Sequence, residues 1–289
     1  TITPQNDNPS FSNFPGAQSV NEDTNLVFNA ANANRITVAD VDVQENNPGG
    51  TVRVSLGVGS GTVTLGATSG LTSVTGNATA AVVLVGPLTN VNNALNGLTY
   101  RGSQHYNGPD TLSATLNDLG NTGAGGGGDI SQSVSLTVNA VNDPPAITVP
   151  ATQMADENVN FPFSATDGNA IVIDDPDADE APGELVASIS VLHGTLTLAN
   201  GAGLLASSGN GTATLNMTGT LAALEAALDG LVYRGDLNFN GSDTLSISVD
   251  DQGNSGSGGA ATDSATVDLA VDAVNNAPQL ALPGAHSIN

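Results

Sequence analysis

Asn107-Gly108-Pro109-Asp110-Thr111-Leu112-Ser113 returns 133 residues later as Asn240-Gly241-Ser242-Asp243-Thr244-Leu245-Ser246. In each copy an Asn-Gly turn signal runs into alternating polar and apolar residues, the pattern of a half-buried strand. The same spacing relates Gly61-Thr62-Val63-Thr64-Leu65 to Gly194-Thr195-Leu196-Thr197-Leu198, and Tyr100-Arg101-Gly102 to Tyr233-Arg234-Gly235. It also relates Asn117-Asp118-Leu119-Gly120-Asn121 to Asp250-Asp251-Gln252-Gly253-Asn254. Nearer the start of each copy the spacing is 135, as from Glu22 to Glu157 and from Asp40 to Asp175. So many ordered matches define an internal repeat, and a chain of 289 residues holds two such units.

Short Pro-bearing linkers punctuate the repeats: Asn6-Asp7-Asn8-Pro9, Asn142-Asp143-Pro144-Pro145 and Asn275-Asn276-Ala277-Pro278. Proline fixes φ and biases the residue before it toward extended backbone, so these joints are expected to be stiff. The organisation expected is the end of a preceding repeat in 1–5, repeats in 6–141 and 142–274, and the start of a following repeat in 275–289. The terminal phrases support this. Pro283-Gly284-Ala285-His286-Ser287-Ile288-Asn289 echoes Pro15-Gly16-Ala17-Gln18-Ser19-Val20-Asn21, and Thr1-Ile2-Thr3 stands before its linker much as Leu136-Thr137-Val138 stands before the second. The sequence reads as a window on a longer array.

Within the first repeat, strands are expected at 25–29, 35–38, 51–57, 61–65, 78–84, 98–101, 110–117 and 131–141. The second repeat offers 159–164, 170–173, 185–191, 194–198, 212–218, 231–234, 243–250 and 261–274. Leu192-His193-Gly194-Thr195 reads as a tight hairpin turn. Leu221-Ala222-Ala223-Leu224-Glu225-Ala226-Ala227-Leu228 breaks the strand pattern, with apolar residues at helical spacing and Thr220 placed to cap. Its counterpart runs from Leu88 to Leu95. The matched aromatics Phe28/Phe163, Tyr100/Tyr233 and Tyr106/Phe239 are expected in the core. The fold class is therefore all-β: tandem Ig-like β-sandwiches, each with one short helix.

Charge narrows the function. Four arginines (Arg35, Arg53, Arg101 and Arg234) stand against 28 Asp and Glu, a formal charge of −24. Such a surface repels nucleic acid and anionic membranes. No apolar run of 18 residues exists to insert into a bilayer. There is no cysteine, so packing alone must hold the core.

The acids cluster. Each repeat carries an early Glu (Glu22, Glu157), an Asp-x-Asp (Asp40 and Asp42; Asp175 and Asp177), and an Asp-x-Gly-Asn (from Asp118 and Asp251); a linker Asn-Asp or Asn-Asn follows (Asn142-Asp143; Asn275-Asn276). Ca2+ takes six to eight hard oxygen ligands, which this residue set supplies. The competing reading is that Asp and Asn simply build turns. Asp175-Pro176-Asp177-Ala178-Asp179 is not an EF-hand loop, because Glu180 stands where that loop needs Gly and no helices flank it.

Enzyme chemistry finds no foothold. His105, His193 and His286 lack zinc spacing, and Gly253-Asn254-Ser255-Gly256 is not repeated as a nucleophile loop, its counterpart being Asn121-Thr122-Gly123. No Lys follows the glycines of Gly125 to Gly128, so they form no phosphate loop. Aromatics, at 3%, offer no platform for sugars, which counts against a carbohydrate-binding module. Asn77, Asn210 and Asn216 stand in glycosylation sequons.

Ala140-Val141-Asn142-Asp143-Pro144-Pro145, the Asn-Gly-x-Asp-Thr-Leu-Ser strand and the Asp-x-Gly-Asn turn resemble the bacterial cadherin-like repeats of large secreted surface adhesins. The resemblance covers nearly the whole chain. It implies cadherin-like sandwiches joined through calcium, with Glu22, Asn142, Asp143, Asp175 and Asp177 serving the joint between the two repeats. By the same resemblance Asp40 and Asp42 face a preceding repeat across Asp7, and Glu157 faces a following one across Asn275. Asn276 departs from the pattern, standing where the other linkers have Asp, and removes a negative ligand there. The expected role is that of a calcium-stiffened extender in an extracellular, cell-surface adhesin. Its partners are neighbouring repeats of the same chain, or identical chains if the repeats build a filament, sheath or biofilm.

Overall fold

The structure is a computed structural model and describes residues 5–43, 45, 50–121, 123–125, 128–180, 183–253 and 255–278. The terminal phrases at 1–3 and 283–289, with His286, lie outside the described residues, as do Asn254, Thr122 and the centre of the Gly125–Gly128 run. The chain divides into two compact units, Thr1–Val141 and Asn142–Asn289.

Unit 1 contains β1 (Ser10–Asn13), β2 (Gln18–Asn21), β3 (Asn25–Phe28), β4 (Thr37–Ala39), β5 (Thr51–Gly57) and β6 (Gly61–Thr64). It continues with β7 (Ser73–Thr75), β8 (Ala81–Pro87), helix α1 (Leu88–Leu95), β9 (Leu98–Gly102), β10 (Gly108–Asn117) and β11 (Ile130–Asn139). A six-stranded sheet in the order β2-β11-β10-β5-β8-β7 accompanies a three-stranded sheet β3-β9-β6, and β1 pairs with β4. Unit 2 repeats the plan with β12 (Ala146–Thr148), β13 (Gln153–Asp156), β14 (Phe161–Phe163), β15 (Val172–Asp174), β16 (Glu184–Ser190) and β17 (Gly194–Thr197). Then follow β18 (Ala206–Ser208), β19 (Thr214–Thr220), helix α2 (Leu221–Leu228), β20 (Leu231–Gly235), β21 (Gly241–Asp250) and β22 (Thr262–Asp272). Its sheets are β13-β22-β21-β16-β19-β18, β14-β20-β17 and β12-β15. The fold is all-β, in two sandwiches with one short helix each.

Strict alternation places every second side chain of the long strands inside. In β5 the buried positions are Val52, Val54 and Leu56, and in β10 Leu112, Ala114 and Leu116. They meet Phe28, Leu84, Tyr100 and Leu136 in one core; Phe163, Leu185, Tyr233, Leu245 and Leu269 form the equivalent in unit 2. Each fully buried Leu, Val or Phe contributes about 1.5–3 kcal/mol, which lets a chain without disulfides fold. Both helices run over the expected residues. The Thr220 side chain accepts from Ala223 N, whereas Pro87 precedes α1 and offers no side-chain cap. Leu95 and Leu224 bury completely.

Two expectations need correction. The Leu192-His193 turn does not close a hairpin: β16 and β17 lie in different sheets, so this corner carries the chain from one layer to the other. Tyr106 and Phe239 are only partly buried; Phe239 stacks on the His193 ring, centroids 4.4 Å apart.

Two pairings set the poles of each unit. The first long-sheet strand runs parallel to the last, with Asn21 opposite Asn139 and Asp156 opposite Asp272. The residue after it, Glu22 or Glu157, is thereby carried to the end where the chain leaves the unit. The short antiparallel pairs, Ser10 with Ala39 and Ala146 with Asp174, bring the Asp-x-Asp turns beside the incoming linker instead.

Candidate metal centres

At the entry pole of unit 1 the chain turns sharply after β4. Asp42 N and Val43 N donate to Asp40 Oδ1 at 2.9 and 3.2 Å, an Asx-type turn that pins one carboxylate oxygen. The other, Asp40 Oδ2, is buried and has no hydrogen-bond partner. Asp42 accepts the backbone N–H of Asp7. Asp118, wholly buried at the end of β10, accepts from Gly120 N at 3.1 Å and from the Asn6 side-chain amide at 2.7 Å.

Unit 2 repeats the arrangement. Asp177 N donates to Asp175 Oδ1 at 2.9 Å, leaving Asp175 Oδ2 buried without a hydrogen bond. Asp177 accepts from Asp143 N at 2.6 Å. Asp251 accepts from Gly253 N at 2.8 Å, Ala261 N at 2.7 Å and the Asn142 amide at 2.7 Å. That last bond turns the Asn142 carbonyl oxygen into a buried acceptor without a hydrogen bond. Thus the Asp-x-Asp, the Asp-x-Gly turn and the unit's own linker come together twice, in the same way.

The electrostatics at both turns are those of crowded, buried carboxylates. Burial pushes the Asp40 carboxyl above the usual range, against the backbone hydrogen bonds from Asp42 and Val43, and repulsion from Asp118 and Asp42 adds to the rise. Burial likewise raises Asp175, opposed by the hydrogen bond from Asp177 and reinforced by the charges of Asp177, Asp251 and Asp174. Three of the four arginines are engaged elsewhere: Arg53 with Asp129, Arg101 with Asp23, Arg234 with Asn160. Buried carboxylates held together without compensation cost several kcal/mol per ion. A hard cation removes that cost. The donor set fits one, because Asp40 Oδ2, Asp175 Oδ2 and the Asn142 oxygen are hard oxygens and the chain has no thiolate.

The remaining candidates lie at the exit poles. Glu22, 4% exposed, accepts from Val141 N at 2.6 Å. Glu157, equally buried, accepts from the amides of Asn276 at 2.8 Å and Asn240 at 3.2 Å. Asn275 and Asn276 are both exposed, and it is Asn276 that contacts Glu157.

The sequence reading missed the role of Asp110 and Asp243. Asp110 accepts from Gly59 N at 2.8 Å, Ser60 N at 3.0 Å, Thr111 N at 2.7 Å and the Tyr100 hydroxyl at 2.9 Å. Asp243 does the same with Leu192 N, His193 N, Thr244 N and Tyr233. These hydrogen bonds, opposing a burial penalty, hold Asp110 below the usual carboxylate range. The Asp of the repeated Asn-Gly-x-Asp phrase is therefore a structural clamp on the sheet-to-sheet corner. The signal was its fixed spacing from Tyr-Arg-Gly.

Fold and poles together define a class: tandem all-β sandwich units, each entered through an acid-lined turn. No family model and no curated relative matches the chain. It is similar to human CDH23 EC21-23, at 12% identity over 92% of this chain and 70% of that one, with a TM-score of 0.36. It is also similar to human mucin-like protocadherin EC1-2 (17%, 92% and 98%, TM-score 0.32) and mouse cadherin-23 EC22-24 (14%, 92% and 67%, TM-score 0.31). The strand registers above define the fold independently of these likenesses. Among the described residues no helix is long and apolar enough to cross a membrane.

Proposed function

We propose that this chain is a pair of extender repeats from an extracellular adhesin of the bacterial surface type, and that calcium bound at the unit poles stiffens it. The observation that carries this reading is the orphaned carboxylate oxygen at Asp40, reproduced at Asp175 in the second unit amid the same neighbours. One turn-forming aspartate could be an accident. Two copies, each with a buried bare oxygen, a second Asp and an Asp-x-Gly turn, are a repeated binding element. The ligand set is Asp40, Asp42 and Asp118 in one unit and Asp175, Asp177, Asp251 and Asn142 in the other; Asp143, Glu22, Glu157 and Asn275 border the linkers.

The role is mechanical. Cation binding neutralises the clustered carboxylates and ties the incoming linker to its unit. Extracellular calcium modules bind at roughly 10⁻⁴–10⁻³ M. At free calcium a hundredfold above the dissociation constant, one site adds about 2.7 kcal/mol. Against a net stability of about 5–15 kcal/mol, that decides whether a joint holds. The partners are then adjoining repeats of the same polypeptide.

Thermal melting and small-angle scattering, each with millimolar calcium and with chelator, test the proposal. Calcium is expected to raise the melting temperature and to narrow the distribution of end-to-end distances. Identical melting and scattering in the two conditions overturns it.

A further inference from the structure

The two exit poles differ in chemistry, although the units share a fold. In sequence the first carries Glu22-Asp23 and is followed by Asn142-Asp143, while the second carries Glu157-Asn158 and is followed by Asn275-Asn276. At these three positions two carboxylates have become amides. In unit 1 Asp23, in a left-handed turn, pairs with Arg101 at 3.6 Å and with the His105 ring at 3.5 Å. In unit 2 the same left-handed position holds Asn158, and His105 is replaced by Asn238.

The amides at this second pole form a closed network. Asn276 Nδ2 donates to Glu157 Oε1 at 2.8 Å and to Asn238 Oδ1 at 3.3 Å. Asn240 Nδ2 donates to Glu157 Oε2 at 3.2 Å. Asn158 Nδ2 donates to Asn238 Oδ1 at 3.2 Å, and Asn238 N returns a bond to Asn158 Oδ1 at 2.9 Å. Both oxygens of Glu157, the carboxylate that remains at these three positions, are thus hydrogen-bonded. Among the described residues, none of the buried side-chain atoms lacking a hydrogen bond lies at this pole, whereas the Asp40 and Asp175 turns each have one. A cation held by Glu157 would have to break two N–H···O bonds to that carboxylate, the stronger class of hydrogen bond, and these three positions offer it one negative charge where the first pole offers three. Calcium affinity falls with the charge of the ligand set.

We infer that the exit pole of unit 2 takes no calcium and holds its linker with a glutamate–asparagine amide latch instead. The calcium role that the cadherin-like resemblance implies for Glu157 does not fit these residues. The array then carries two kinds of joint, one that softens when calcium falls and one that does not. The inference rests on the calcium reading only for that contrast; the latch itself stands without it.

Hydrogen exchange on the full chain tests it, with calcium and with chelator. The segments 157–160 and 237–240 are expected to be protected in chelator, with calcium changing their rates less than twofold. Asn276→Ala should raise exchange in 237–240 at least tenfold in both conditions. Asn158→Asp/Asn276→Asp, which restores the charges of the first pole, should make protection there calcium-dependent. Protection of 157–160 that appears only with calcium in the unaltered chain overturns the latch, as does an Asn276→Ala variant that exchanges like the parent. A lack of calcium response at 40–43 and 175–177 counts against the proposed function and leaves the latch result standing.

Discussion

The Tyr233 hydroxyl lies 3.0 Å from Asp243 Oδ2 and 2.9 Å from the His193 carbonyl, so its one proton is shared between a buried carboxylate and the corner it steadies. Tyr100, Asp110 and Ser60 repeat the geometry at 2.9 and 3.1 Å. The corner needs this help because Gly61 and Gly194, which follow it, have φ of 150° and 153° and sit so close to the facing strand that a Cβ would meet the Arg101 or Arg234 carbonyl at 2.3 or 2.4 Å. The chain changes sheets where its backbone is least able to pair with itself, and the carboxylate supplies the missing acceptors.

Asp243→Ala therefore removes an acceptor from three backbone N–H groups and a tyrosine at once. Leaving such donors unpaired costs about 1–3 kcal/mol each where they remain buried. The expected loss for unit 2 is about 3–5 kcal/mol, seen as a lower urea midpoint for that unit alone. Tyr233→Phe, which removes a single hydroxyl, should cost about 1 kcal/mol. Equal effects of the two would mean that the backbone bonds at the corner carry little.

The same pair fixes the pH response. Burial, then the hydrogen bond and charge of the partner aspartate, pushes both Tyr100 and Tyr233 well above the ordinary tyrosine value. Their protonated forms are favoured in the folded state. That stability is complete below the unfolded value, about 10, and is lost as pH rises toward the folded value. Asp110 has the opposite sign: its contribution is present above about pH 4 and disappears as acid protonates it. Melting in chelator should decline above about pH 10, and Tyr100→Phe/Tyr233→Phe should flatten that decline. A double variant with the parent's alkaline profile would refute the assignment.

Much of this architecture was legible in the sequence because alternation and repetition are strong signals. The long strands β5, β10, β16 and β21 declare themselves by apolar residues at every second position, and the helices by Leu at helical spacing. The short strands β1, β2, β7, β13 and β18 did not, being three or four residues long and mostly exposed. Their pairing comes from neighbours, which no local pattern reports. The acid clusters were legible as residue types, because carboxylates recurred at fixed places. Which carboxylates were ligand-like was not: Asp110 and Asp40 look alike in sequence. Only the partner list separates a saturated clamp from an oxygen left bare.

Helix α1 shows how the two repeats diverge at one position. The Asn92 side chain accepts from Val38 N and donates to Val38 O, both at 2.9 Å, so it closes the free edge of β4 as a strand would. In α2 the equivalent residue is Glu225, exposed. Asn92→Ala is expected to destabilise unit 1 by about 2 kcal/mol, since two backbone groups lose their partner. Glu225→Ala should change unit 2 by less than about 0.5 kcal/mol. Comparable losses in the two would show that the helix face matters more than the clamp. Denaturant unfolding with an exchange readout for each unit distinguishes them.

Asp175→Asn gives the sharpest test of the metal reading, because its effect should change sign with calcium. Without the ion, Asp175 is a buried carboxylate repelled by Asp177, Asp251 and Asp174. The neutral amide keeps an oxygen for the Asp177 N–H and relieves that repulsion, so the variant should melt higher than the parent in chelator. With saturating calcium the order should reverse. Losing one anionic ligand weakens the site and removes most of the roughly 2.7 kcal/mol that a well-occupied site provides. Titrating calcium into both proteins while following the melting of unit 2 should give curves that cross. A variant more stable than the parent at every calcium concentration would mean that Asp175 repels its neighbours and binds nothing. One less stable at every concentration would mean that its carboxylate serves the turn through hydrogen bonding alone.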